Sequence, residues 1–368
     1  MPQTTVIPKA LRPGGTIGFI SPSARLNEIF AVPTARAKAA LENRGFKVKI
    51  FWTHEDPENT TVQQHITHRK QEILDAFADK EVDAIIATIG GLTCSELVPH
   101  FINDETALET LRSNPKIFVG YSDITTLHWL LHKYTGLRTF YGPTALPELG
   151  EFPKPMDFTI DNLIRTIVHD PATGAAPQAI GPVPRSMEWA PYVADFFLSP
   201  NPASEKPSEY VPTPGWEWLH GGKVTDARIF GGCISLVQRL QGIRPIVPDW
   251  KGRVLFLEAS LGDDNVSGIS LERTRQQFAD IVAQGVVDDI KGLVFGRFAG
   301  YRTEEQRQVI SKLIREVFIE NDAVTNDFPI LINVDIGHTS PILTIPMDAL
   351  VSLDSEKDEF VILEAGIR

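Results

Sequence analysis

A serine, a glutamate and a histidine each stand at the end of an apolar, strand-like run of this chain. Ser122 follows Ile117-Phe118-Val119-Gly120-Tyr121, Glu258 closes Arg253-Val254-Leu255-Phe256-Leu257, and His338 comes shortly after the run at 329–334. Together they offer a nucleophile, a base and a carboxylate to orient the base. A serine hydroxyl is too weak an acid to attack an amide unaided. An imidazole must take its proton and later deliver it to the leaving amine, while a carboxylate fixes the imidazole's tautomer. Each residue also has a plain explanation. Ser122 also reads as a helix cap, Glu258 as a partner of Arg253 or Arg297, and His338, after Gly337, as a turn histidine.

The surroundings of Ser122 sharpen the chemical reading. Gly120-Tyr121-Ser122-Asp123 lies between a short β-rich run and a helical pattern carrying Leu127, Leu130 and Leu131 on one face. A glycine two residues before a serine at such a junction makes the sharp turn that lifts a hydroxyl clear of a sheet. The N–H of Asp123 then points where negative charge would develop. The pattern stops short of G-x-S-x-G, because position 124 is Ile. Upstream, Gly90-Gly91 follow the buried run at 83–88. They read either as the second half of an oxyanion hole or as a plain tight turn.

These residues need a scaffold, and the order of elements predicts one. Strands are expected at 16–20, 46–51, 83–88 and 117–119. Helices are expected at 32–44, 69–78, 96–101 and after Ser122. Strand-helix alternation argues for a doubly wound, mostly parallel sheet, whose ligands bind at the carboxyl ends of the strands. The second half alternates likewise (strands at 253–258, 292–295 and 329–334, helices at 235–240, 271–283 and 304–318) and then breaks into short strands. The expected class is α/β, with a C-terminal mixed domain that is partly barrel-like. The expected division is 1–168, carrying the nucleophile, 169–220 as linker and loops, and 221–368, carrying Glu258 and His338.

Composition excludes several other functions. The 368 residues carry a net charge of −12, which argues against a nucleic-acid polymer or an anionic membrane surface as partner. No apolar stretch approaches the ~20 residues of a membrane span, and the N-terminus shows no signal-peptide pattern. Two cysteines, Cys94 and Cys233, make neither a zinc spacing nor a disulfide framework, so a reducing, cytoplasmic setting is expected. Residues 13–24 lack the G-x-G-x-x-G spacing of a dinucleotide site. His128 and His132, four apart, have the spacing of a metal pair without a nearby carboxylate and read as helix-surface residues. The loop region holds Trp189, Tyr192, Phe196, Phe197 and Tyr210, followed by Trp216 and Trp218, which either pin the loop to the core or line a pocket.

Taken together, these motifs resemble the serine peptidase family of the bacterial LD-carboxypeptidases and the microcin C self-immunity proteins. The resemblance rests on Gly15-Thr16-Ile17-Gly18 with Ser21-Pro22-Ser23, Ile89-Gly90-Gly91, Gly120-Tyr121-Ser122-Asp123, Phe140-Tyr141-Gly142-Pro143, Gly231-Gly232, Phe256-Leu257-Glu258, and Gly337-His338-Thr339 with Pro341. It implies a Ser122-Glu258-His338 triad and an oxyanion hole from the N–H of Asp123 and of Gly90 or Gly91. It also implies a homodimer with no metal and no cofactor. Ile89 stands where the LD-carboxypeptidases typically have arginine, so the chain is closer to the microcin-immunity branch. That branch implies an aminoacyl- or peptidyl-nucleotide substrate, held by a tryptophan of the inter-domain loop. Trp218 is the leading counterpart, ahead of Trp216 and Trp189. An LD-carboxypeptidase acting on muropeptides is the alternative, and a catalytically silent binding protein the second. Cys233 departs from the asparagine usual after Gly-Gly, which puts the local hydrogen bonding in question.

Overall fold

Two sheets carry the chain, and their carboxyl ends face one another. The computed structural model describes residues 4–56 and 59–368. The first sheet runs in the order Ile345–Pro346, Phe140–Tyr141, Ile117–Gly120, Val82–Ala87, Thr16–Ile20, Lys47–Ile50. From Phe140–Tyr141 to Lys47–Ile50 all neighbours are parallel. Only Ile345–Pro346, contributed from near the C-terminus, pairs antiparallel. The strand order reverses between Thr16–Ile20 and Val82–Ala87. Such a switch point opens a crevice beyond the strand ends. The central strands are continuous apolar runs because both faces are covered, as a parallel sheet requires, whereas the edge strand Lys47–Ile50 alternates lysines with apolar residues and is largely exposed.

The second sheet is mixed. Its order is Gly181–Pro182, Glu359–Ile362, Leu350–Asp354, Lys223–Cys233, Arg253–Glu258, Gly292–Gly296, Ile330–Val334, Glu217–His220. The four strands from Lys223–Cys233 to Ile330–Val334 are parallel, and the flanking ones antiparallel. The indole N–H of Trp218, on one edge strand, donates to Asp358 beside the other edge, at 2.8 Å. The sheet is therefore curled towards a barrel. Gly231-Gly232 are the last residues of the long strand before Cys233 and not a turn, and the helix Ile234–Leu240 starts directly after it.

The helices fall largely where apolar spacing places them. Leu271–Ala283 is capped by Ser270 and Glu304–Phe318 by a Thr303–Gln306 capping box. Besides the single turn Asp195–Leu198, the helix Glu105–Ser113 was not anticipated. Its Asp104 cap follows Leu97–Ile102 so closely that the two share one apolar pattern. The helix Thr125–Thr135 corrects a second expectation. His128 and His132 lie not on the surface but buried, with 0% and 9% exposure. The helix is covered on both sides. His128 bonds the Gly120 carbonyl and packs on Phe118 of the first sheet, while Trp129 donates to the Gly231 carbonyl and His132 packs on Phe230 of the second. Burial lowers both imidazoles to about 4, so they are neutral structural groups.

Candidate active site

The strand Ile117–Gly120 is followed by Tyr121, and the next residue turns sharply. Ser122 sits at φ 63°, a left-handed conformation that costs about 1–3 kcal/mol for a non-glycine residue. The backbone is held there from two sides. The Ser122 N–H donates to the phenol oxygen of Tyr141 at 3.1 Å, and its carbonyl accepts from the Thr125 hydroxyl at 2.6 Å. The turn points the Ser122 hydroxyl away from the sheet and towards the second one.

Glu258 ends the strand Arg253–Glu258 and His338 follows the strand Ile330–Val334. The parallel register of these strands brings both to the same end of the sheet. His338 Nε2 lies 2.9 Å from Ser122 Oγ, and its Nδ1 lies 2.6 Å from Glu258 Oε2. The three residues, read separately from strand ends, form one continuous chain of contacts. The other partners allowed for Glu258 are engaged elsewhere: Arg253 pairs with Asp348 and Arg297 with Asp335.

The loop carrying His338 is fixed by its own contacts. Gly337 has φ 94°, and a Cβ there would meet Glu258 Oε2 at 2.2 Å. Only glycine lets the chain pass close enough for the His338 N–H to reach the same oxygen, at 3.3 Å. The Asp335 carboxylate accepts from Ser186 and pairs with Arg297, which also donates to the Pro341 carbonyl. The ring of Tyr121 packs edge-on against His338 at 4.9 Å, and the Tyr121 hydroxyl donates to Glu148 at 2.7 Å.

Glu258 is wholly buried. Burial pushes its carboxyl upwards, but the His338 charge and the hydrogen bonds from His338 and Tyr141 outweigh this and hold it below the ordinary carboxylate range. It is therefore ionised at neutral pH. Burial and the Glu258 charge raise the Tyr141 phenol well above its ordinary value, so it stays protonated and donates to Glu258 Oε1 at 2.6 Å.

The Gly90-Gly91 turn lies against the nucleophile. A Cβ on Gly90 would stand 2.7 Å from Ser122 Cβ and 3.2 Å from the Asp123 nitrogen, while Gly91 sits against Ser23 and Ala24. Asp123 clasps this turn: its Oδ2 accepts from Ser23 Oγ at 2.6 Å and from the Cys94 N–H at 2.8 Å, and Arg239 approaches its Oδ1 at 3.4 Å. Gly90, Gly91, Asp123 and Ser122 thus share one corner, at the switch point of the first sheet.

The tryptophans expected to hold substrate are distributed differently. Trp218 faces Leu331 on its neighbouring strand and bonds Asp358. Asp358 is in the turn after Leu350–Asp354. Since Asp354 pairs with Lys223 while Glu258 pairs with Cys233, that turn lies at the end of the sheet opposite the triad. Trp218 is therefore an edge-strand residue, away from the triad. Trp216 is sandwiched between the Arg185 guanidinium at 3.8 Å and Phe360. Only Trp189 comes to the His338 loop, where the Ala190 N–H donates to the Ser340 carbonyl at 2.8 Å; its ring is buried, with Arg297 5.7 Å from its centroid. The reason lies in the path of 169–220, which folds back as short strands instead of spanning the cleft as one loop. Tyr141 is the participant that sequence reasoning missed. Its only signal was membership of Phe140-Tyr141-Gly142-Pro143, which says nothing of a phenol spanning two distant strand ends.

Fold and site together define a serine-type hydrolase. Residues 17–142 match the LD-carboxypeptidase N-terminal domain and residues 226–353 its C-terminal domain, which together span more than half of the chain. The chain belongs to the LD-carboxypeptidase family and is a serine-type carboxypeptidase by that membership. A Vibrio cholerae protein carrying a carboxypeptidase name is 28% identical over 98% of both chains. The Escherichia coli microcin self-immunity protein MccF is 25% identical over 95% of this chain and 94% of its own. Among solved structures, a MccF-like protein from Bacillus anthracis superposes with a TM-score of 0.80 at 26% identity, covering 98% of this chain and 100% of that one. MccF in complex with aspartyl sulfamoyl adenosine shares the fold at a TM-score of 0.79 and 24% identity, over 99% and 100% of the two chains.

Proposed function

We propose that the protein hydrolyses a peptide-like amide bond, of the kind found in aminoacyl- or peptidyl-nucleotide conjugates, with Ser122, His338 and Glu258 as a catalytic triad. The observation that carries this reading is the unbroken contact chain from Ser122 Oγ through both ring nitrogens of His338 to Glu258. Ser122 Oγ attacks the carbonyl carbon while His338 Nε2 takes its proton. Glu258, ionised and fixed, holds the Nδ1–H tautomer and stabilises the imidazolium that forms. The carbonyl oxygen becomes an oxyanion in the corner between the Asp123 N–H and the Gly90-Gly91 turn. His338 then protonates the leaving amine, and water, activated by the same imidazole, releases the acyl group. On this reading the cleft is the seam between the sheet that carries Ser122 and the sheet that carries Glu258 and His338.

The nucleotide preference draws support from the relatives: MccF structures hold glutamyl sulfamoyl guanosine and aspartyl sulfamoyl adenosine. Ile89, in place of a basic residue beside the Gly-Gly turn, favours the same choice. Muropeptide cleavage is the second reading, favoured by a Bacillus subtilis relative, 26% identical, that carries a murein peptide carboxypeptidase name. Hydrolysis of an aminoacyl sulfamoyl adenosine and of a muropeptide tetrapeptide, side by side with Ser122→Ala as the blank, separates them. Cleavage of the conjugate alone is the expected result. Release of the terminal D-amino acid alone would replace the first reading by the second.

A further inference from the structure

Cys233 lies where the triad's carboxylate end is deepest. Cys233 Sγ, a Glu258 carboxylate oxygen and a His338 ring nitrogen all lie within 4.8 Å of one another, the one such trio of metal-ligating side chains among the described residues. The thiol is buried and lies 3.3 Å from Ser235 Oγ. The three come from separate strand ends. Cys233 is placed by its register opposite Glu258, and His338 by the Gly337 turn.

We infer that Cys233, Glu258 and His338 form an inhibitory site for a thiophilic divalent cation, zinc first, that switches the triad off. Sulfur, nitrogen and oxygen donors from three side chains make up three corners of a tetrahedron, with ligand distances of about 2.0–2.3 Å. Closing around an ion from the present spacing takes side-chain shifts on the order of 1 Å. The fourth corner is left to water. The ionised Glu258 carboxylate favours such an ion, while the protonated thiol opposes it. Burial and the neighbouring Glu258 charge raise the thiol well above its ordinary value. A dication removes that obstacle, since a coordinating thiol is deprotonated outright, and two anionic ligands balance its charge.

The exchange balances as follows. The cation takes a lone pair of His338 Nδ1, whose proton is then carried on Nε2, and the Cys233 thiol loses its proton to solvent. With Nε2 protonated and Nδ1 metallated, the ring has no lone pair left for the Ser122 proton. The loss of hydrolysis rests on the proposed triad; the binding of the ion does not.

The two are separated by reading binding and rate independently. Cadmium, as a spectroscopic stand-in for zinc, is titrated into chelator-treated protein while its thiolate charge-transfer band is followed. The band is expected in wild type and in Ser122→Ala, which keeps all three ligands, and is expected to be lost in Cys233→Ser and Cys233→Asn. Hydrolysis is read in zinc-buffered solution as the ratio to each protein's own metal-free rate. Cys233→Ser should need at least about tenfold more free zinc for the same fractional loss. No band in wild type, or a band that persists in both folded Cys233 variants and so belongs to Cys94, would overturn the site. Equal zinc sensitivity of wild type and Cys233→Ser would do the same. A band in Ser122→Ala with no hydrolysis by wild type would leave the site standing and sink the proposed reaction instead.

Discussion

The Tyr141 hydroxyl joins the two ends of the active site. It donates to Glu258 Oε1 at 2.6 Å and accepts from the Ser122 N–H at 3.1 Å. One phenol thus both steadies the strained turn of the nucleophile and supplies a hydrogen bond to the carboxylate. Tyr141→Phe leaves the ring and removes both bonds. A hydrogen bond to a charged group contributes about 1.5–3 kcal/mol, so kcat should fall roughly tenfold to a hundredfold with KM little changed. The Tyr141 bond holds Glu258 down, so its loss should also move the acid-side fall of kcat/KM to higher pH. A pH–rate profile of the variant superimposable on wild type would deny Tyr141 this positioning role.

Glu258→Gln tests the carboxylate separately from its shape. The amide is nearly isosteric, but it cannot stabilise the imidazolium and can donate to Nδ1, forcing the wrong tautomer on His338. A loss of about 10⁴-fold in kcat is expected, by analogy with triads in general, with binding retained. A loss of less than about tenfold would reduce Glu258 to a structural residue.

Gly90→Ala tests the oxyanion corner. The added methyl would stand 2.7 Å from Ser122 Cβ and 2.9 Å from its Oγ. Ser122 Cβ is fixed by the nucleophile turn and the Asp123 nitrogen stands 3.2 Å away, so the glycine turn must move away from the Asp123 N–H. Losing one oxyanion donor costs about 10²–10³ in kcat. Circular dichroism should report an intact fold. Full activity in the folded variant would place the oxyanion elsewhere.

Much of this arrangement is written in local sequence. Ser122, Glu258 and His338 stand at or just beyond the ends of apolar strands, and parallel pairing carries the strand ends of each sheet to one edge without further information. Leu271–Ala283 and Glu304–Phe318 likewise have their period and caps in plain view. Long-range relations are not legible in this way. Tyr141 and Glu258 are 117 residues apart, and nothing local marks a phenol that will bridge them. His128 and His132 were misplaced because their helix is covered by both sheets, so no polar face betrays which side is out. Trp218 was misplaced because a pairing with Leu331, contributed from more than a hundred residues downstream, turns its segment into an edge strand. A Pro-rich stretch with no periodicity of its own takes its path from what it docks against.

Glu151 supplies a test of stability instead of rate. It is buried beside the His338 loop, accepting from Ser208 Oγ at 2.7 Å and from Ser340 Oγ at 3.4 Å. Burial pushes its carboxyl up to about 7, only partly offset by Ser208, with the Glu148 charge adding to the rise. In the unfolded chain it titrates near the ordinary value of about 4.3. Between these two values the folded protein holds a proton that the unfolded chain has lost. Rising pH therefore weakens the fold across that window, and the effect levels off on either side. Glu151→Gln cannot lose a proton and should escape this loss. Urea unfolding of both proteins at about pH 4.5 and about pH 7.5 should show the variant gaining on wild type by on the order of 1–3 kcal/mol as pH rises. The comparison cancels every other titrating group, so parallel pH dependences would mean that Glu151 is ionised in the folded protein, with its charge met by the Ser208, Tyr210 and Ser340 hydroxyls.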